Sequence, residues 1–256
     1  MSPAQARALV VLVVASLAVA GCGSPGASRD AAPDELLVSA AASLSDAFTE
    51  LAMIFEREHP GTDVVLNLAG SAALREQVLA GAPVDVLATA SLATMAPVVR
   101  AGATIGQPSE FAANELALVV PHGNPGGVTS LDDLATPALF VGLCDVSVPC
   151  GALADTVLAA VHISPSVDTR ERDVRSLLTK LVSGDLDVGL VYATDARAAG
   201  SSVKVIADDS VQRLRTSYVI AALTRSSNLT GAAEFVALIL SDEGQATLGR
   251  HGFLAP

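Results

Sequence analysis

Two serines stand where a predicted strand is followed directly by a predicted helix. Ser43 lies in the segment AAASLSD at residues 40–46, and Ser71 lies in the segment AGSAA at residues 69–73. In open α/β sheets, ligands collect beyond the carboxyl ends of the strands, where helix N-termini present unpaired N–H groups and a positive dipole end. Hydroxyls and amides that meet at such an edge suit an anion. The two serines therefore predict an anion-binding site.

Each serine also has a simpler interpretation, as the N-cap of its helix. Ser43 and Asp46 have the spacing of a capping box. Gly70, just before Ser71, allows another part of the backbone to approach closely. An N-cap role would explain either serine alone, whereas two serines on successive crossovers favour the anion site.

The residues give little support to catalysis or to a metal centre. None of the four histidines has the spacing of a metal motif: His59, His122, His162 and His251. Ser43 is not part of a G-x-S-x-G motif, and no histidine can be placed beside it from sequence. The acidic pairs at residues 132–133, 208–209 and 242–243 are expected on solvated helix faces or turns.

Strand-like and helix-like patterns alternate from residue 35 onward. Short apolar runs predict strands at residues 36–41, 64–68, 84–88, 116–120, 138–142, 188–192 and 218–223. Helical periodicity or flanking helix signals predict helices at residues 45–59, 72–80, 92–100, 152–162, 174–183 and 230–240. This alternation predicts an α/β fold in which helices connect parallel strands.

The composition excludes several kinds of partner. The 256 residues carry a formal net charge of -12, with 51% hydrophobic and only 3% aromatic residues. A strongly acidic chain is repelled by nucleic-acid phosphates and by anionic lipid headgroups, and it lacks the aromatic surfaces on which single-stranded bases stack. Nucleic-acid binding and electrostatic docking to a membrane are therefore not expected.

The N-terminus has the pattern of an export signal. Arg7 is the only charge before an apolar run at residues 8–20, and the run ends in Val-Ala-Gly-Cys with the cysteine at position 22. This ending resembles the lipobox of bacterial lipoproteins, which implies cleavage after residue 21 and acylation of Cys22. The alternative is a short buried helix that happens to carry a cysteine. Residues 22–35 are expected to form a flexible tether.

Several segments together carry a family resemblance. They are residues 36–102 with the motifs AAASL and AGAPVDV, residues 148–151 (VPCG), 173–175 (DVR) and 189–196 (GLVYATDA), and the final Gly252-Phe253. These segments resemble the binding protein of bacterial molybdate ABC importers. The resemblance implies a two-lobed, type II periplasmic solute-binding protein with its ligand cleft between the lobes. We expect lobe 1 at residues 36–115 plus 216–256 and lobe 2 at residues 116–215.

The resemblance also implies a set of ligand-binding residues. Ser43 and Ser71 would contribute hydroxyl and amide donors from lobe 1, and Tyr192 would contribute its phenol from lobe 2. Cys150 and Val174 would bind through their backbone N–H groups, since each lies near the start of a predicted helix. A cysteine at position 150 departs from the small residue expected there. Without the resemblance, Tyr192 could equally be a core tyrosine.

Two cysteines remain once Cys22 is assigned to the lipid. Cys144 and Cys150 are six positions apart in one predicted loop. Because the predicted compartment is oxidising, an even number of cysteines favours a disulfide between them. A pair of free thiols is the alternative.

These observations predict an extracytoplasmic, lipid-anchored receptor that binds molybdate, with tungstate as a second expected ligand, and delivers it to an ABC-type permease. We expect a monomer without enzymatic activity or cofactor, in which molybdenum is held only as the oxyanion and without direct metal ligands. The alternatives are a receptor for another oxyanion such as sulfate, and a secreted hydrolase that uses a serine or a cysteine.

The lipobox leads to a test of membrane attachment. If Cys22 carries more than one acyl chain, the protein should stay with membranes during a high-salt wash, because the attachment is hydrophobic rather than electrostatic. Cys22→Ala should release the protein or block processing of the precursor, as measured by fractionation. Unchanged membrane retention of a correctly processed Cys22→Ala protein would count against the lipobox.

Overall fold

Short apolar strands alternate with helices in the computed structural model, which describes residues 34–256. The proposed signal peptide, Cys22 and most of the tether lie outside the described residues. The strands are β1 (Asp34–Ala41), β2 (Thr62–Ala69), β3 (Val86–Thr89), β4 (Ser109–Pro121), β5 (Val141–Cys144), β6 (Val167–Glu171), β7 (Val188–Tyr192), β8 (Val203–Ile206) and β9 (Arg215–Ala222).

The helices are α1 (Ser45–Glu58), α2 (Ser71–Leu79), α3 (Leu92–Arg100), α4 (Pro149–Ala160), α5 (Val174–Ser183), α6 (Ala193–Ala199), α7 (Leu229–Leu240) and α8 (Asp242–Arg250). Between residues 34 and 256, none of them is both long enough and apolar enough to cross a bilayer.

The sheet has the strand order β2-β1-β3-β9-β4-β7-β5-β6, with β8 paired to β4. On one side, β1 lies parallel to both β2 and β3, so the carboxyl ends of these three strands share an edge. On the other side, β5 lies parallel to β6 and β7. The predicted parallel strands with helical connections are therefore present in both parts of the sheet.

Strand β4 joins the two parts by changing its partners along its length. Residues 109–115 pair with β9, and residues 116–121 pair with β7 and β8. The change falls between Glu115, opposite Arg215, and Leu116, opposite Tyr192. A single 13-residue strand thus runs through both parts of the sheet.

The sequence pattern predicted most of the apolar strands but missed several elements that are polar or short. It missed β6, whose sequence VDTRE is mostly polar, and α8, whose sequence DEGQATLGR has few apolar residues. It also missed β8, α6 and the first half of β4. The strand predicted at residues 138–142 is shifted to Val141–Cys144, because residues 136–139 form a turn in which the Leu139 N–H donates to the Thr136 carbonyl.

The acidic pairs are only partly solvated. Asp242 and Glu243 are exposed in the first turn of α8, as expected. Asp133 instead caps a 3-10 turn, and the Asp208 carboxylate accepts a hydrogen bond from the Leu131 N–H at 2.9 Å. These two carboxylates hold loops in place, because backbone N–H groups there lack partners in regular structure.

Most of the few aromatic residues gather in one cluster. Phe48, Phe55, Phe111 and Phe235 contact one another with ring centroids 5.4–6.0 Å apart. Tyr218 extends this cluster, at 6.1 Å from Phe111. Aliphatic residues fill the rest of the core, as the composition predicts. The cluster packs a tyrosine rigidly at the centre of the molecule, where its hydroxyl reaches the site described below.

Candidate anion-binding site

A small cavity of about 20 Å³ lies at the edge of the sheet where the carboxyl ends of β1, β2 and β3 meet the loops of β5, β6 and β7. This volume exceeds what a single water needs, so the cavity has room for a water-sized molecule or a small ion. All five residues predicted to bind the ligand line it: Ser43, Ser71, Cys150, Val174 and Tyr192. Residues separated by up to about 150 positions in sequence thus meet at one place.

Neither serine serves as the N-cap of its helix, so the simpler interpretation was wrong. Ser43 lies in a 3-10 turn between β1 and α1, where Leu44 is the N-cap and no side chain caps the helix. The capping box with Asp46 is therefore absent. Ser71 is the first residue of α2, after the N-cap Gly70. Neither side chain is used to cap a helix, and both serines line the cavity.

Each serine hydroxyl makes one hydrogen bond inside the protein. The Oγ atom of Ser71 accepts a hydrogen bond from the Ala90 N–H at 3.1 Å. The Oγ atom of Ser43 lies 2.7 Å from the hydroxyl of Tyr218. Both serines are buried, with exposures of 4% for Ser43 and 2% for Ser71. Ser71 therefore keeps its own proton to donate.

Three helices begin at the cavity. Helix α2 starts at Ser71, α4 starts at Pro149 next to Cys150, and α5 starts at Val174. The first N–H groups of a helix have no intrahelical partner, and the aligned peptide dipoles place a partial positive charge there. The three N-termini therefore supply amide donors and a favourable potential for an anion.

Tyr192 is the last residue of β7 and is 2% exposed. Tyr192 lines the cavity, and its hydroxyl has no hydrogen-bond partner among the described residues. Burial, followed by the nearby Tyr218 and Asp195, raises the pKa of Tyr192 well above its usual value. The phenol therefore stays neutral and retains a proton that it can donate.

The two cysteines near the cavity are bonded in the structure, with their Cα atoms 5.8 Å apart. They do not lie in a single loop as expected, because Cys144 ends β5 and Cys150 lies in the first turn of α4. The chain turns so tightly there that a Cβ atom at Gly151 would lie 1.9 Å from the Asp145 carbonyl oxygen. The bridge thus joins the end of a strand to the helix start that faces the cavity.

Asp173 also lines the cavity, and the sequence analysis did not assign it. Its Oδ1 accepts from the Ser176 N–H at 2.7 Å, and its Oδ2 accepts from the Ser176 hydroxyl at 3.0 Å. Asp173 is thus the N-cap of α5. The pattern Asp-x-x-Ser before a helical segment was the available signal. Each oxygen of Asp173 accepts one hydrogen bond from Ser176 and keeps a second lone pair, so this carboxylate is an acceptor at the edge of the cavity.

The backbone of another loop approaches Gly70 closely, as the sequence predicts. A Cβ atom at this position would lie 2.7 Å from the Arg172 carbonyl oxygen. Gly70 precedes α2, and Arg172 precedes α5. A glycine therefore lets two of the helix N-termini lie against each other at the cavity.

An ion-pair network lies behind the cavity. The guanidinium of Arg175 in α5 contacts Asp46 in α1 and Asp195 in α6, with N–O distances of 2.6 Å in both cases. Asp195 is fully buried, and no described residue donates a well-aligned hydrogen bond to its oxygens. Burial raises the pKa of Asp195 to about 7, although Arg175 acts in the opposite direction.

The histidines lie elsewhere, and none lines the cavity. His251 contacts Glu50 at 2.8 Å, His59 contacts Glu234 at 3.5 Å, and His122 contacts the Ser201 carbonyl at 3.0 Å. In the part of the chain that the structure describes, no cluster of three or more histidine, cysteine, aspartate or glutamate residues is placed to hold a metal ion.

The chain is similar to known proteins over nearly its whole length. A family model described as bacterial extracellular solute-binding protein matches residues 36–254. The molybdate-binding protein ModA of Mycobacterium tuberculosis (strain ATCC 25618 / H37Rv) is 36% identical over 249 residues, covering 96% of this chain and 95% of that protein. The chain belongs to the bacterial extracellular solute-binding proteins. The family resemblance inferred from the sequence is thereby confirmed.

Two solved structures have the same solute-binding fold. The periplasmic molybdate-binding protein of Azotobacter vinelandii has a TM-score of 0.73 at 18% identity, covering 86% of this chain and 99% of that chain. The sulfate-binding protein SubI of Mycobacterium tuberculosis H37Rv has a TM-score of 0.76 at 19% identity, covering 86% of both chains. These matches confirm the α/β fold of a solute-binding protein.

The raised pKa of Asp195 predicts how pH affects stability. An unfolded aspartate has a pKa of about 3.9, so between about pH 4 and pH 7 the folded protein binds more protons at this site than the unfolded chain. The contribution of Asp195 to stability therefore decreases as pH rises through this range. Asp195→Asn should remove this slope, so the variant should gain stability relative to the parent as pH rises.

Denaturant unfolding of the parent and of Asp195→Asn, measured at several values between about pH 4 and pH 8, checks this expectation. A difference in unfolding free energy that does not change with pH would mean that Arg175 holds Asp195 ionised throughout.

Proposed function

We propose that this solute-binding protein captures molybdate outside the cytoplasm and delivers it to an ABC-type importer. The observation that carries the proposal is a small cavity where the hydroxyl-bearing residues Ser43, Ser71 and Tyr192 meet three helix N-termini. The similarity to ModA, which is named a molybdate-binding protein, indicates which oxyanion to expect. Tungstate is a second expected ligand, because it has the same charge and nearly the same size.

The donors are proposed to act without a full positive charge. Ser43, Ser71 and Tyr192 would donate through hydroxyls, and Cys150 and Val174 would donate through backbone amides. No lysine, arginine or histidine is among the described residues that line the cavity. Helix N-termini and amide dipoles would therefore balance the dianion.

Selection against phosphate follows from the shortage of acceptors. Molybdate is fully deprotonated at pH 7, so each of its oxygens accepts hydrogen bonds, whereas phosphate at that pH still carries a proton. None of the five proposed ligand-binding residues offers a carboxylate to that proton, and each oxygen of the nearby Asp173 already accepts one hydrogen bond from Ser176. An unmet hydrogen bond in a buried site costs about 1–3 kcal/mol. Sulfate lacks such a proton and can be excluded only by size, so it remains the alternative ligand.

The lobes expected from the sequence are proposed to meet at the cavity. The change of partners along β4 after Glu115 and the start of β9 at Arg215 support boundaries at these two strands. Ligand closure would be a hinge movement at the same strands. The contact between Arg175 and Asp46 would then join the lobes in the closed form.

A hydrolase is the less supported alternative. The Ser43 hydroxyl faces Tyr218 rather than a histidine, and Cys150 is bonded to Cys144, which leaves no free thiol at the site. Nucleophilic catalysis needs a base within hydrogen-bond reach of the nucleophile. We therefore infer a binding protein rather than an enzyme.

Further features are proposed from the sequence and the compartment. An anchor at Cys22 would keep a monomeric receptor near its permease, and the bridge between Cys144 and Cys150 would persist outside the cytoplasm. Because the bridge spans the loop before α4, it would brace the start of that helix.

Removal of either serine hydroxyl should weaken molybdate binding. Ser43→Ala and Ser71→Ala should each cost about 1.5–3 kcal/mol, the range for a hydrogen bond to a charged group, as measured by titration calorimetry. Ser183→Ala is a matched control, because Ser183 is the last residue of α5, at the opposite end from the cavity. Parent-like affinity in both cavity variants, or phosphate binding as tight as molybdate binding, would refute the assignment.

A further inference from the structure

Asn114 and Tyr218 form a buried layer directly behind Ser43. Neither of them lines the cavity, and their exposures are 1% and 0%. The Tyr218 hydroxyl lies 2.7 Å from the Ser43 Oγ and 3.4 Å from the Asn114 Nδ2. A chain of hydrogen bonds thus leads from Asn114 through Tyr218 to Ser43.

Asn114 determines which group donates and which accepts in each of these hydrogen bonds. The backbone N–H of Glu115 donates to the Asn114 Oδ1 at 3.0 Å, which identifies that atom as the acceptor of the amide. The Nδ2 group therefore points the other way, donating to the Thr194 hydroxyl at 2.8 Å and to the Tyr218 hydroxyl at 3.4 Å. Tyr218 thus accepts from Asn114.

The direction passes from Tyr218 to Ser43. A phenol has a single proton, and burial raises the pKa of Tyr218, so that proton is retained. The Tyr218 hydroxyl has two hydrogen-bond partners, and because the Asn114 Nδ2 can only donate, the Tyr218 proton is directed at the Ser43 Oγ. The neighbouring Tyr192 hydroxyl has no hydrogen-bond partner among the described residues. Ser43 accepts from Tyr218, and its own proton is left for the cavity.

Ser71 has the same arrangement with a different partner. Its Oγ accepts from the Ala90 N–H at 3.1 Å, which also leaves the serine proton for the cavity. Two serines on different crossovers thus each receive a hydrogen bond from the protein on the side away from the ligand. Ser71 thus accepts a hydrogen bond from the protein without any contribution from Asn114.

We propose that Asn114 and Tyr218 are positioning residues that fix Ser43 as a hydrogen-bond donor to the ligand, and that they thereby help the site prefer a fully deprotonated oxyanion to a protonated one. The inference rests on the proposed function. It adds residues that do not touch the ligand but determine which way the Ser43 hydroxyl points.

A variant that reverses the direction of the hydrogen bonds between Asn114, Tyr218 and Ser43 tests the proposal most sharply. In Asn114→Asp, a carboxylate oxygen replaces the Nδ2 donor, so it accepts the Tyr218 proton. The Tyr218 oxygen then accepts from Ser43, and the Ser43 lone pairs face the cavity. Molybdate has no proton to offer these lone pairs, whereas hydrogen phosphate has one.

The added charge of Asn114→Asp would also repel an anion, and a double variant separates the two effects. In Asn114→Asp/Tyr218→Phe the charge remains, but the hydroxyl that passes the reversal to Ser43 is gone. We expect Asn114→Asp to lower molybdate affinity at least 100-fold and Tyr218→Phe to lower it tenfold or less. The molybdate affinity of the double variant should be within about tenfold of the affinity of Tyr218→Phe.

Titration calorimetry with sodium molybdate and with inorganic phosphate measures these affinities, and circular dichroism checks that each variant folds. Asn228→Asp is the matched control, because Asn228 lies far from the cavity. It is the N-cap of α7 and follows the end of β9. That end of β9 pairs with the start of β3, whereas the cavity lies at the opposite edge of the sheet, where β3 ends. This control should bind like the parent. A double variant as weak as Asn114→Asp would assign the loss to charge repulsion and overturn the inference.

If Asn114→Asp does not fold, Tyr218→Phe alone tests whether Tyr218 fixes Ser43 as a donor. Without the phenol, the Ser43 oxygen is free to accept a proton, so the ratio of molybdate to phosphate affinity should fall at least tenfold. An unchanged ratio would overturn the inference while leaving the proposed function intact. A parent protein that binds no oxyanion would instead overturn the proposed function, and the inference with it.

Discussion

A buried dianion needs partners on every side, and the organisation of this molecule follows from how those partners are supplied. The described residues around the cavity provide hydroxyls and helix N-termini rather than lysine or arginine side chains. An N–H at the start of a helix is an unsatisfied donor in any case, so directing several of them at one point satisfies both the helix and the ligand. Under the proposed function, this requirement accounts for the arrangement in which α2, α4 and α5 all begin at the same cavity.

The surrounding structure keeps these donors in position. Gly70 lets the loop before α2 lie against the loop before α5, and the bond between Cys144 and Cys150 ties α4 to its sheet. The aromatic cluster holds Tyr218 in one place, so that its hydroxyl stays within hydrogen-bond distance of Ser43. Preorganised donors give a larger binding free energy than mobile ones, because less entropy is lost on binding.

The sequence allowed much of this to be predicted, because the signals were local. Alternating strand and helix patterns predicted the α/β class, and the serines at two strand ends predicted the edge of the sheet where the cavity lies. The remaining residues depend on long-range packing. Asn114 and Tyr218 are 104 positions apart, and nothing in the residues near either one indicates their contact. Strand β6 and helix α8 were missed because polar residues hide their periodicity.

The central claim is that an oxyanion is held in this cavity by neutral donors alone. A crystal structure of the protein grown with molybdate, with diffraction data collected at the molybdenum absorption edge, tests it most directly. The account predicts one anomalous peak inside the cavity, within hydrogen-bond distance of the Ser43, Ser71 and Tyr192 hydroxyls and of no lysine or arginine. A peak outside the cavity, or an ion held by an arginine, would contradict it.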